Sequence, residues 1–259
     1  MMMKNPFANM GKLVKDLKKR LGIGSKRVGH RGIQYFDKVD GLHISSHTGK
    51  LADMHSLSTS CLDNPNCEKR RKIPGSICEV CFSVKTQEQY SSLEKQLIKN
   101  GKILRSHLLS DDELPLLNDI ISRVESFGDV SFGQEGIIQA RNYIRYVKHN
   151  PLTTFGWWSK NLGIIHTALK LEGYDADRGE KPGNVIFIVS SLYKNKSWGI
   201  KNWKRVFPWV DKEFVVLSPE FVVENPEYES LINCGARQCM ACRTCYSKNN
   251  IDTIYELEK

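Results

Sequence analysis

The chain has 259 residues, of which 40% are hydrophobic and 26% charged, enough apolar side chain for one sizeable core; this excludes global disorder. A formal net charge of +9 favours nucleic acid, anionic lipid or a negatively charged ligand without choosing among them. No run approaches the roughly 20 apolar residues of a spanning helix, and no short apolar secretory run opens the chain, so a cytoplasmic protein is expected.

Residues 1–27 form a basic arm, with eight lysines and arginines against a single acid, Asp16. Leu13, Val14, Leu17 and Leu21 recur at helical spacing, which predicts a short amphipathic helix over 9–21 before Gly22 and Gly24. Such a helix serves either as an arm for nucleic acid or an anionic surface, or as a solvated helix docked by its leucines. Residues 28–259 read as one α/β domain with cysteine motifs at 61–81 and 234–245. His30, His43, His47 and His55 precede the first motif without metal-ligand spacing, so ordinary structural roles are expected of them. Pro65, Pro74 and Gly75 predict that this motif is loop.

Helices are then expected over 84–100 and 111–126, a strand over 129–132, a helix over 139–148, a strand over 152–157 and a helix over 160–171. Apolar, β-branched strands follow at 184–190 and 213–218, and residues 252–259 read as a mildly acidic tail. Strands alternating with helices imply a largely parallel sheet, open or a partial barrel, with cysteine-rich loops at both ends. Ligand sites in such sheets lie outside the carboxyl ends of the strands, which draws attention to the loops starting near Gly133, Trp157, Ser190 and Ser218.

Eight cysteines in a chain without an export signal point to metal ligands rather than disulfides. The second quartet, Cys234, Cys239, Cys242 and Cys245, has gaps of four, two and two residues. Three cysteines at consecutive two-residue gaps wrap the backbone around a compact cluster, and loop amides can then hydrogen-bond to its sulfides. Four thiolates on tetrahedral zinc are the competing occupant, usually as two separated C-x2-C knuckles. The first quartet, Cys61, Cys67, Cys78 and Cys81, has gaps of five, ten and two, and spacing leaves cluster and zinc both open there. One site drawing ligands from both quartets also remains open, because a fold can bring together segments 152 residues apart.

The order of features resembles the phage "gene product 88" family: a Ser-Leu-Ser approach, a cysteine loop ending in Cys78-Glu-Val-Cys81-Phe82, a middle α/β region and a closing cysteine-rich motif. The resemblance spans roughly residues 57–246 and is specific at the cysteines. It implies an iron-sulfur protein of a virus or prophage, in the host cytoplasm, and carries over no activity. The family's Gly-Asp-like and Thr-Lys-like strand-end turns are matched to Gly133-Gln134-Glu135 and Ser159-Lys160. More widely, the layout is similar to that of radical S-adenosylmethionine enzymes, with Phe132-Gly133-Gln134-Glu135 a little like their Gly-Gly-Glu turn, although their C-x3-C-x2-C is absent. An open-iron cluster binding S-adenosylmethionine would use Cys67, Cys78 and Cys81.

Glu135 and Lys160, at expected strand ends, are the candidate catalytic acid and base, with surface and helix-capping roles as the alternative. Trp157, Trp158, Trp198, Trp203 and Trp209 near Lys194, Lys196, Lys201, Lys204 and Arg205 suit either base stacking or core packing. No phosphate loop or serine elbow is present. The expectation is a [4Fe-4S] protein of structural, redox or electron-transfer use, with one or two clusters. The alternatives are a radical S-adenosylmethionine-like enzyme and a zinc-stabilised nucleic-acid-binding protein.

Overall fold

The basic arm supplies helix α1 (Met10–Arg20), whose Leu17 is 1% exposed. Leu17 packs with Val215, Leu217, Val222 and Leu257, so the helix is docked on the body by this one leucine, while Leu13 stays exposed. The structure, a computed structural model, describes residues 10–20, 41–235 and 237–258. The rest of the arm and His30 lie outside them.

A short hairpin follows, β1 (Ile44–Ser46) and β2 (His55–Leu57). The first cysteine segment then holds α2 (Pro65–Arg71), α3 (Phe82–Gln89) and α4 (Ser91–Ser106). It is not all loop: the Asn64 side chain caps α2 by accepting from the amides of Asn66 and Cys67, and Pro65 at the first helical position lacks the amide that would go unpaired there. The single helix expected over 84–100 is two, because the backbone of Tyr90 (φ −126°, ψ 83°) leaves the helical region. Gly101 does not end α4; it is buried inside it.

The expected helix over 111–126 is also absent. Its acids form one 3-10 turn (Asp111–Glu113) closed by a Ser110–Glu113 capping box, and β3 (Ile121–Val124) follows. The expected strand at 129–132 is loop leading into α5 (Gly133–His149). After that β4 (Thr154–Ser159), α6 (Leu162–Leu171), β5 (Val185–Ser190) and β6 (Lys212–Leu217) fall where expected, and two helices that were not expected, α7 (Ile200–Val206) and α8 (Pro219–Glu224), complete the βα alternation. The chain closes with β7 (Ile232–Cys234), α9 (Cys239–Cys242) and β8 (Thr253–Leu257). The acidic tail is therefore largely a strand lying between β6 and β7.

The eight strands of the described residues form one open sheet in the order β1-β2-β3-β4-β5-β6-β8-β7, parallel throughout except for β1 against β2. From β2 to β6 the spatial order follows the chain, so successive crossovers lay α4, α5, α6 and α7 against one face. There Trp157, Phe187 and Trp209 interlock with rings 5.1 and 4.8 Å apart, beside Tyr143 and Ile165.

The opposite face carries Met54, Ile121, Trp158, Ile186, Ile188 and Ile254, and among the described residues no long helix covers it. The second cysteine segment does so instead, through Cys245, Tyr246, Cys239 and Met240. Gly156 makes room for this cover: a Cβ there would come within 2.6 Å of the Trp158 ring and 2.7 Å of Tyr246. No helix among the described residues is long and apolar enough to cross a membrane.

Candidate metal centre

Three parallel strands and the chain after β2 deliver polar residues to one edge of the sheet. A cavity of about 170 Å³ opens there, at the carboxyl ends of β2, β3, β4 and β5. All four cysteines of the first quartet line it, each brought by a different device. Cys61, 1% exposed, follows β2 directly, and Gln87 donates to its sulfur at 3.0 Å while accepting from Ser60 Oγ. Cys67 rides on α2, which Asn64 and Asn66 tie to the carbonyls of Asp129 and Val130. Cys78 sits in a loop anchored by Ile77 N donating to Leu192 O (2.9 Å) and by the Ser76–Tyr193 bridge. Cys81 is the N-cap of α3.

The electrostatics differ from thiol to thiol. A hydrogen bond from Cys61, together with the amides of Val84 and Ser83 at the start of α3 and nearby Lys160, pulls Cys81 down to about 5. Cys61 moves up, first through that shared hydrogen bond and then through burial. Burial also raises Cys67, with Asp129 and Glu125 adding to it, and raises Cys78 against the lowering effect of Lys160.

The cavity walls contain two acids that lie in the segment misread from sequence. The Glu125 carboxyl is fully buried and accepts from Thr59 N, Thr59 Oγ1 (2.6 Å), Gln139 Nε2 (2.9 Å) and Tyr143 Oη (2.6 Å). Burial raises its pKa, and its backbone has φ +59°. Asp129 accepts from Arg70 Nη1 (2.8 Å), Lys160 N (2.9 Å) and Ser159 Oγ. Gly128 and Asp129 both line the cavity. Glu135 is exposed on the first turn of α5 and is not among the lining residues. Lys160 does line the cavity and donates to Ser190 Oγ at 3.0 Å. Arg71 and Arg123 add positive charge, and the Arg123 guanidinium lies 4.0 Å over the Trp158 ring.

The second quartet lies on the sheet face described above. Cys234, in β7, takes a hydrogen bond from Lys50 Nζ (3.0 Å), which also bonds Glu256 (2.6 Å). A hydrogen bond from Cys245 and the neighbouring lysine bring Cys234 down to about 7. Cys245 moves up through the same bond and through burial, and burial raises Cys239. The Cys242 sulfur lies 3.1 Å from Thr244 Oγ1. Among the described residues no three His, Cys, Asp or Glu side chains converge closely enough to hold a single ion.

Two of the upstream histidines are held by hydrogen bonds away from the cysteines. His47 Nε2 pairs with Ser56 Oγ at 2.7 Å, and His55 Nδ1 with Asp119 at 2.8 Å. Burial, helped by Arg123 and His55, lowers His47 from 6.5 to about 4. A base whose pKa falls on folding contributes stability that is full above pH 6.5 and lost as pH drops towards 4, by at most roughly 3 kcal/mol. Urea unfolding at pH 7 and pH 4.5 is expected to show this loss, and His47→Gln to reduce it. Of the five tryptophans, Trp157, Trp158 and Trp209 are buried in the cores, so the basic tryptophan stretch offers only Trp198 and part of Trp203 to solvent.

No model of a known family, no curated protein and no solved structure matches this chain.

Proposed function

We propose that the chain is an iron-sulfur protein with a [4Fe-4S] cluster in the cavity of Cys61, Cys67, Cys78 and Cys81 and a second held by Cys234, Cys239, Cys242 and Cys245. One observation carries this: four thiols spread over 21 residues of sequence all line a single cavity of about 170 Å³. A lone zinc ion draws four sulfurs to about 2.3 Å of one centre, whereas a cubane itself occupies the space between its ligands. A bound cluster would supply one-electron redox chemistry. The cations Arg70, Arg71, Arg123 and Lys160 in the wall suit the negative charge that thiolate ligation brings. The second quartet would also fasten the segment that covers the open sheet face. The resemblance of Cys78-Glu-Val-Cys81-Phe82 and its surroundings to the gene product 88 family supports the same function, in a phage-encoded protein of the host cytoplasm. Anaerobically purified protein is expected to be brown, with iron and acid-labile sulfide in equal amounts; colourless protein with stoichiometric zinc would contradict the proposal.

A radical S-adenosylmethionine-like enzyme is the second function we propose. It is favoured by the position of Cys61, which is buried and held by Gln87 while Cys67, Cys78 and Cys81 are half-buried around the cavity. Three ligands would then leave one iron for S-adenosylmethionine. Release of 5′-deoxyadenosine by the dithionite-reduced protein tests it, and no release would remove it.

A further inference from the structure

Three exposed aromatic side chains stand on the segments that frame the cavity. Phe82 follows Cys81 and is 74% exposed; Phe132 is 40% exposed and Tyr193 37%. None of the three lines the cavity itself; Phe132 follows the Asp129–Val130 backbone to which α2 is tied, and Tyr193 bridges to Ser76, two residues before Cys78. Each of these two rings has an ammonium beside it: Lys69 Nζ is 5.6 Å from the centre of Phe132, and Lys196 Nζ is 5.2 Å from that of Tyr193.

The cations of this rim are largely uncompensated. The last turn of α2 is Lys69, Arg70 and Arg71, followed by Lys72. Arg70 turns inward to Asp129 and Lys72 pairs with Glu68, whereas Lys69, Arg71 and Lys196 make no ion pair with a carboxylate among the described residues. Flat apolar faces with unpaired cations next to them match a chain that alternates rings with phosphates. A duplex keeps its bases stacked on each other and offers no free face. An acidic peptide would satisfy the cations and leave the rings exposed to water.

We propose that this rim binds single-stranded nucleic acid, with bases stacked on Phe82, Phe132 and Tyr193 and phosphates on Lys69, Arg71 and Lys196, so that the strand crosses the mouth of the cysteine cavity. Arg71 also lines the cavity, so of the three cations Lys69 and Lys196 are the ones that do not depend on what the cavity holds. Of the tryptophans beside the Lys201–Arg205 stretch, Trp209 is buried, whereas Trp198 is exposed and Trp203 half-buried.

The test is fluorescence anisotropy with the full chain and a labelled 15-nucleotide oligo-dT. Binding at 50 mM salt is expected, and three phosphate contacts on a single strand should make it roughly 20-fold weaker at 200 mM. Phe132→Ala and Tyr193→Ala, both at exposed positions, should each weaken binding about 5- to 100-fold by loss of one stacked base. Lys69→Ala should flatten the salt dependence by about one phosphate. No binding at 50 mM salt, unchanged affinity in both aromatic variants, or equal competition by a poly-glutamate peptide would each overturn the proposal.

Discussion

Asp129→Ala is expected to destabilise the protein by about 3–5 kcal/mol and to remove the cluster proposed for the first cysteine cavity while sparing the one proposed for the second quartet. The carboxylate is a hub: it takes Arg70 from α2, the Lys160 amide and Ser159 hydroxyl from the end of β4, and its own neighbour's amide at Val130. Removing one partner of a buried ion pair leaves the other charge uncompensated, which is where most of the cost arises. Arg70 sits one turn from Cys67, so α2 should lose its registration on the β4 end and carry that sulfur out of place. Asp129→Asn keeps the shape and part of the hydrogen bonding, and should cost less. Urea unfolding with iron analysis of both variants checks the pair; retention of all iron in Asp129→Ala would contradict the hub role.

Glu125→Ala is expected to have an effect of similar size, about 3–5 kcal/mol, for a different reason. Four donors from Thr59, Gln139 and Tyr143 converge on this carboxyl, two of them hydroxyls that can turn elsewhere and two N–H groups that cannot. Truncation adds a cavity at a fully buried position to these orphaned donors. Glu125→Gln fills the space but puts an amide donor against donors, so an intermediate loss is expected. Because burial raises the pKa of this acid, its share of stability falls as pH rises through its folded value, opposite in sign to the His47 contribution. Thermal unfolding of both variants at pH 5 and pH 8 measures this. Wild-type stability in Glu125→Ala would mean that the network is dispensable.

Central strands were legible where both faces are buried. Val185–Ser190 is buried at every position and reads as a continuous apolar run. β3 was hidden because its Ser122 and Arg123 interrupt the apolar pattern and because the acids at 111–113 imitate a helix start. β8 was hidden by Tyr255 and Glu256, whose polarity is explained only by the fold, where Glu256 pairs with Lys50 some 206 residues away. Of the residues singled out from sequence, Cys61, Cys67, Cys78, Cys81 and Lys160 line one cavity. The wall between them was not legible: Glu125 and Asp129 lay in the misread segment, and the acid chosen by analogy, Glu135, faces solvent. A buried carboxylate hub carries no local sequence period, since its partners come from α2, β4 and α5.

Native mass spectrometry of anaerobic protein, wild type beside Cys78→Ala and Cys242→Ala, tests the iron-sulfur account most directly. The account predicts the mass of two cubane clusters on the wild type and of one on each variant. Apoprotein or two zinc ions on the wild type would contradict it.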